Sequence, residues 1–224
     1  MHLASSLPRL VVFDMAGTTV VDQGEVPAAF TAALAAEGIA VTAEQINAVR
    51  GASKRQAVFK LLPETPDRER RTEQAYAEFK RDLARRYREG VKPMPGAAQT
   101  FAWLRERGIR VALNTGFDRE ITDLLISALG WNTGVVDCVV CGDEVRRGRP
   151  SPLLIFRCME LTEIDSVHEI AVVGDTTLDL QAGHNAGARW NIGVLSGAHR
   201  RDQMEHQPQT NLITSVADLP AIFR

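Results

Sequence analysis

The chain has 224 residues, of which 45% are hydrophobic and 24% charged, with a formal net charge of −2. That length allows one large domain, or one domain carrying an insertion, with a sizeable core. The charge balance argues against a nucleic-acid surface, and no apolar run approaches the roughly 20 residues of a membrane span, so no membrane partner is expected.

The start, "MHLASSLPRL", lacks a charged segment followed by an apolar one, so it reads as no signal peptide. "RLVVFD" (9–14) is short, continuous and β-branched, the pattern of a strand buried on both faces. From about 26 to 90 the pattern turns helical. "VPAAFTAALAAEG" closes on Gly38, "TAEQINAVRG" opens with a Thr42–Gln45 capping box, and "SKRQAVFKLL" offers Ser53 as N-cap. A long charged helix follows, with Tyr76, Phe79 and Leu83 at helical spacing.

"VKPMPG" (91–96) punctuates the chain, and an α/β alternation resumes. Helices at 97–107, 118–129, about 151–160 and 178–187 alternate with strands "IRVALNTG", "VDCVVCGDE", "EIAVVGDT" and "RWNIGVLSG". That rhythm predicts an α/β fold, a Rossmann-like doubly wound parallel sheet. The helical block after the first strand reads as an inserted cap, placing the core at 1–20 and 95–224 and the cap at 21–94. The cysteines are Cys138, Cys141 and Cys158, an odd number that fits a reducing cytoplasm better than a disulfide framework. "CVVC" sits in an extended run, so its two thiols read as structural.

Ligands of open α/β sheets bind beyond the carboxyl ends of the strands. Those ends carry Asp14, Thr115–Gly116 and Asp175, and "RRGRPSP" adds Arg149. Two carboxylates, a hydroxyl and a cation at one edge suit phosphoryl transfer: Asp14 as nucleophile, Mg²⁺ on the carboxylates, and phosphoryl oxygens on Thr115, Arg149 and the N–H groups of Gly17 and Gly116.

"FDMAGTT", "LNTG", "GRP" and "VVGDTTLD", in that order around a helical insertion, resemble the four motifs of the haloacid dehalogenase superfamily with an early (C1-type) cap. The resemblance covers nearly the whole chain. It implies Asp14 as nucleophile and a Mg²⁺ site made by Asp14, the backbone carbonyl of Ala16 and Asp175. Thr115 matches the phosphoryl-binding hydroxyl, Arg149 stands where lysine is more common, and Asp179 matches a second acidic position.

Most phosphatases of that superfamily carry an acid/base aspartate where this chain has Ala16. A methyl group moves no protons, and acid–base help is typically worth roughly 10²–10⁴-fold. "DMAGTT" and the arginine of "GRP" are similar to the phosphonoacetaldehyde hydrolases, whose leaving group is carbon and whose cap lysine forms a Schiff base with the substrate aldehyde. Gly51 and Lys54 in "VRGASKRQAVFK" align with that glycine and lysine. At the start of a helix the dipole would lower the amine pKa; Lys60 is the runner-up. The departures are Ala57 for a histidine, Arg50 for a methionine and Phe117 for a tyrosine. Arg50 is read as a partner for an extra acidic group on a related 2-oxoalkylphosphonate.

Three functions are therefore weighed: a Mg²⁺-dependent C–P hydrolase using Asp14 and Lys54, a phosphatase for small phosphate esters, and a non-catalytic phosphate-binding module. The resemblance also implies a homodimer, which no stretch of the sequence demonstrates. His184 reads as structural, His199 and His206 as surface, and Tyr76, Phe79 and Trp103 as core.

Overall fold

A computed structural model describes residues 7–132 and 134–223; the signal-peptide reading of the first residues lies partly outside them. Strands β1 (Leu10–Asp14), β2 (Arg110–Asn114), β3 (Cys138–Val140), β4 (Ile170–Gly174), β5 (Trp190–Val194) and β6 (Asn211–Ile213) form one sheet in the order β3-β2-β1-β4-β5-β6. Every pairing is parallel, so all carboxyl ends lie along one edge.

The continuous apolar runs are explained by two covered faces. Val11, Phe13, Val111, Leu113, Ala171 and Val173 pack in one cluster with Phe101 and Leu104 of helix α5 (Ala97–Arg105). Their strand neighbours Leu10, Val12, Ala112, Ile170 and Val172 pack in a second cluster with Leu154, Ile155 and Cys158 of α7 (Leu153–Leu161) and Ala182 of α8 (Thr177–Ala186). Alternate side chains of a strand point to opposite faces, so two layers of helices result. Helix α6 (Arg119–Ala128) completes this set.

Between β1 and α5 lie α1 (Glu25–Ala36), α2 (Ala43–Ala48), α3 (Lys54–Leu61) and α4 (Arg68–Glu89). Phe30 of α1 meets Phe79 of α4 with ring centroids 4.5 Å apart. The two chain crossings run side by side: Met94 N–H donates to the Thr19 carbonyl at 2.8 Å and Val21 N–H to that of Lys92 at 3.0 Å. The Thr42–Gln45 capping box forms as read, whereas Ser53 occupies the N-cap of α3 without a side-chain bond. The third strand is shorter than "VDCVVCGDE", and β6, α9 (Arg201–Met204) and α10 (Leu219–Ile222) follow where no element was read. Cys141, past the end of β3, is buried, and burial pushes its thiol up to about 12, in keeping with a structural role.

The segment entering α3 lies directly on the strand edge. Lys54 N–H donates to the Gly116 carbonyl at 3.0 Å, and a Cβ at Gly116 would collide with the Ala52 carbonyl. Backbone cannot move aside as a flexible side chain can. Gly116→Ala is expected to leave the sheet folded and to lift this segment, weakening it by about 1–2 kcal/mol. Hydrogen exchange would then speed up roughly tenfold in the α3 amides and not in β1 or β4; uniform exchange would refute the contact.

Candidate active site

Asp14 ends β1 because a buried run of five residues delivers it to the carboxyl edge, and Asp14 pairs in register with Asn114 of β2. Thr115 and Gly116 continue β2, and Asp175 continues β4. Asp14, Thr115, Gly116 and Asp175 line one closed cavity of about 20 Å³, room for little more than a water. Ala16, Arg50, Lys54, Phe117 and Arg149 also line its wall, with Val26, Gly51 and Thr176, so residues far apart in the chain meet there.

Arg149 is buried beneath this wall and is wholly engaged by the protein. Its Nη1 donates to Asp14 Oδ1 at 2.7 Å and to the Gly51 carbonyl at 3.3 Å, and its Nε pairs with Asp179 Oδ1 at 2.8 Å. Nη2 donates to the Asn114 carbonyl at 3.1 Å and also to Asn114 Oδ1. A guanidinium has five N–H groups, and each has an acceptor here. The reading of Arg149 as an open phosphoryl clamp is therefore corrected: in this conformation it holds the nucleophile. Asp14 Oδ1 is anchored, and no protein donor among the described residues reaches Oδ2. Asp179, the second acidic position, is buried, accepts from Thr176 N–H at 3.0 Å, and does not line the cavity.

Gly17 also changes role. Its N–H is spent on the Val20 carbonyl at 2.7 Å, so it has no donor for a phosphoryl oxygen. The residue has φ +96°, and a Cβ there would strike the Asp175 carboxylate; glycine is needed for that approach. The Gly116 N–H, by contrast, has no protein acceptor among the described residues. Asp175 accepts from the Thr18 hydroxyl at 3.0 Å and from Ala198 N–H at 2.7 Å. Burial, then the charges of Asp14 and Asp179, push its carboxyl up to about 7.

That excess of negative charge fits a divalent cation. No three His, Cys, Asp or Glu side chains converge on a metal-sized point among the described residues. The pair Asp14 and Asp175 with the Ala16 carbonyl is nonetheless the hard-oxygen set that Mg²⁺ favours, since it retains several waters.

Lys54 is the first residue of α3 and is buried. Its Nζ donates to the Ala52 carbonyl at 3.3 Å and lies 5.0 Å from the centroid of the Phe117 ring. Burial, and next the charge of Arg50, lower its ammonium to about 8. Desolvation therefore outranks the helix dipole invoked from sequence. Lys54 and Gly116 also line a roomier cleft of about 460 Å³ with Ser53, Phe59, Tyr76 and Asp118. Lys60 lines neither space. Ala57 is fully buried, and no histidine lines the closed cavity.

Several readings need correction. Arg50 already has an acid partner: its Nη2 lies 2.6 Å from Asp22 Oδ2. His199 is buried, not surface: its Nδ1 accepts from Thr177 N–H at 3.0 Å and its Nε2 donates to the Asn47 carbonyl at 3.2 Å, joining α2 to the start of α8. His184 is exposed on α8 rather than structural. Tyr76 and Trp103, read as core, are half-buried and pack against it, and the Tyr76 hydroxyl donates to Asp118 Oδ2 at 2.9 Å. Asn114, Asp22, Thr18 and Thr176 escaped the sequence reading. Asn114 adjoins Thr115 and was within reach of it; Asp22 carries no local signal.

A buried amine with a lowered pKa costs stability. Its folded value of about 8 lies below the unfolded 10.5. The full cost, on the order of 3 kcal/mol, therefore applies below pH 8 and fades as pH rises from 8 to 10.5. Lys54→Met is expected to unfold at higher urea concentration than the parent at pH 7, with the gap closing by pH 10; equal midpoints at pH 7 would show that the charge is not penalised.

Comparison with known proteins agrees with this geometry. A model of the haloacid dehalogenase-like hydrolases matches residues 8–187. A phosphonoacetaldehyde hydrolase of Bacillus cereus is 34% identical, over 84% of this chain and 76% of that one. A phosphonoacetaldehyde hydrolase-like protein from Oleispira antarctica superposes with a TM-score of 0.85 at 21% identity, covering 98% of this chain and 92% of that one. A putative phosphoglycolate phosphatase from Lactobacillus delbrueckii subsp. bulgaricus gives 0.81 at 19% identity, covering 97% and 99%. With a doubly wound sheet gathering Asp14, Thr115, Arg149 and Asp175 at its carboxyl edge, and a family model spanning most of its length, this chain belongs to the haloacid dehalogenase-like hydrolases.

Proposed function

We propose that the enzyme is a phosphonatase, cleaving the C–P bond of a small 2-oxoalkylphosphonate, with phosphonoacetaldehyde as the first candidate. One observation carries the reading. A buried amine, Lys54, shares a closed cavity with the Asp14 carboxylate, while the residue two past Asp14 is an alanine that moves no proton. The 34% identity to the Bacillus cereus enzyme supports it.

The proposed sequence uses these side chains as follows. The neutral Lys54 amine adds to the substrate aldehyde, water leaves, and one proton taken from solvent gives the protonated imine. Asp14 attacks phosphorus, the P–C bond breaks, and its electron pair moves through the carbon into the iminium, leaving an enamine and an aspartyl-phosphate. The enamine carbon takes a proton, and water hydrolyses the imine to free the aldehyde and restore Lys54. A second water cleaves the aspartyl-phosphate, restoring Asp14 and releasing phosphate. Mg²⁺, held by Asp14, Asp175 and the Ala16 carbonyl, would neutralise phosphonate charge. The Thr115 hydroxyl and Gly116 N–H hold phosphoryl oxygens, and Arg149 orients Asp14. With Ala57 and Phe117 in place of the family's histidine and tyrosine, proton transfers fall to water and the Lys54 nitrogen.

The closed space is too small for such a substrate, so residues 21–94 are proposed to move as a cap that opens for binding and closes for chemistry. The cleft of about 460 Å³ beyond Lys54 then takes the organic end.

The test is incubation with Mg²⁺ and phosphonoacetaldehyde, with and without borohydride, followed by phosphate assay and intact mass. Phosphate release, and a reduced adduct on Lys54 when borohydride is present, are expected. Lys54→Met is expected to lose at least about 10³-fold. Turnover of p-nitrophenyl phosphate alone, undiminished in Lys54→Met, would replace the reading with an ester phosphatase. Because the amine must be neutral to add, kcat/KM should rise with pH through a midpoint of about 8 and level off roughly one unit higher; a flat profile from pH 6 to 9 would contradict the amine's role.

A further inference from the structure

Arg50 occupies the turn between α2 and α3, four residues before Lys54, and lines the same closed cavity. Its side chain and that of Asp22 are only 12% and 3% exposed. Asp22 is itself fixed: its Oδ1 accepts from the N–H groups of Gly24 and Val26 at 3.1 and 3.3 Å. The guanidinium therefore cannot swing away from the cavity without breaking a buried pair. One of its nitrogens is committed to Asp22, and no other protein acceptor among the described residues engages it.

We propose that Arg50, anchored on Asp22, is a positioning residue that keeps the Lys54 amine unprotonated and nucleophilic. The inference rests on Lys54 being the imine-forming amine. The charges that bear most on Lys54 are Arg50 from the α2–α3 turn, Asp14 from β1, Arg149 from the loop before α7, and Asp22 from the loop before α1; Asp175 after β4 lines the same cavity, and Arg55, Glu69, Asp118, Asp143 and Arg146 line the cleft on its other side. Asp14 is already paired with Arg149 at 2.7 Å, and Asp22 with Arg50, so neither carboxylate is free to stabilise an ammonium fully. Beside a buried amine, a second fixed cation disfavours protonation, which is one established way to make a lysine nucleophilic near neutral pH. Lowering by burial is the larger effect and Arg50 the next, in agreement with that geometry. With one edge of its guanidinium already held by Asp22, Arg50 is poorly suited to capture an extra acidic group on the substrate.

The chain contains four lysines, Lys54, Lys60, Lys80 and Lys92, so protein labelled with [13Cε]lysine shows few enough resonances to titrate individually without substrate. The Lys54 signal is assigned by its loss in Lys54→Met. A midpoint of about 8 is expected in the parent. It should rise by roughly one pH unit in Arg50→Met and stay near the parent value in Arg50→Lys, which retains the charge. Arg50→Met with Asp22→Asn removes both members of the pair, avoids a lone buried carboxylate, and should still raise the midpoint. An unchanged midpoint in both Arg50→Met and the double variant overturns the proposal, even if the enzyme cleaves phosphonates. A raised midpoint in a chain that cleaves no C–P bond and traps no adduct leaves Arg50 in this role and instead defeats the phosphonatase reading.

Discussion

The site depends on one buried guanidinium. Arg149 sits among Asp14, Asp179, two oxygens of Asn114 and the Gly51 carbonyl, and so neutralises two buried carboxylates at once. Taking charges out of water costs several kcal/mol per ion unless hydrogen bonds and opposite charge compensate. Here the compensation is geometric. Asp14 comes from the end of β1, Asn114 from β2, and Asp179 from the first turn of α8, so the parallel sheet must be assembled before the cluster is satisfied. Asp179 and Asp175 still have raised pKa values, with burial the largest cause. That residual strain is what a divalent cation would relieve.

The same guanidinium reaches the helical insertion through Gly51, and two further links tie that insertion to the sheet edge. Lys54 N–H meets the Gly116 carbonyl, and His199 bridges Thr177 and Asn47. On the far side, Asp118 at the N-cap of α6 receives Tyr76 and, at 3.1 Å, the Lys80 ammonium from α4. Apolar packing joins the insertion to the core as well, with the Tyr87 ring of α4 edge-on to Phe117 at 6.2 Å between centroids. Inside the insertion, Phe30 packs on Phe79 and keeps its helices together.

Lys54 illustrates the exchange of stability for chemistry. An exposed lysine would be charged and inert as a nucleophile at neutral pH. Seated against Phe117 and out of water, the amine is nearer its neutral form, and the fold bears the cost of burying it. In the proposed reaction the missing acid at Ala16 is no loss, because a carbon leaving group needs an electron sink rather than a proton donor.

Much was legible in the chain by itself. Apolar runs covered on both faces, alternating with helical periodicity, determined a doubly wound parallel sheet, and parallel strands necessarily send Asp14, Thr115 and Asp175 to one edge. The Thr42–Gln45 box and the Gly38 stop were readable because caps are local chemistry. What only the tertiary structure decided is where each polar group spends its hydrogen bonds. The Gly17 N–H turns inward to Val20, Arg149 is consumed by its neighbours, Arg50 meets Asp22 28 residues away, and His199 is buried between α2 and α8. Such pairings join segments distant in sequence, and no periodicity or spacing along the chain encodes which donor reaches which acceptor.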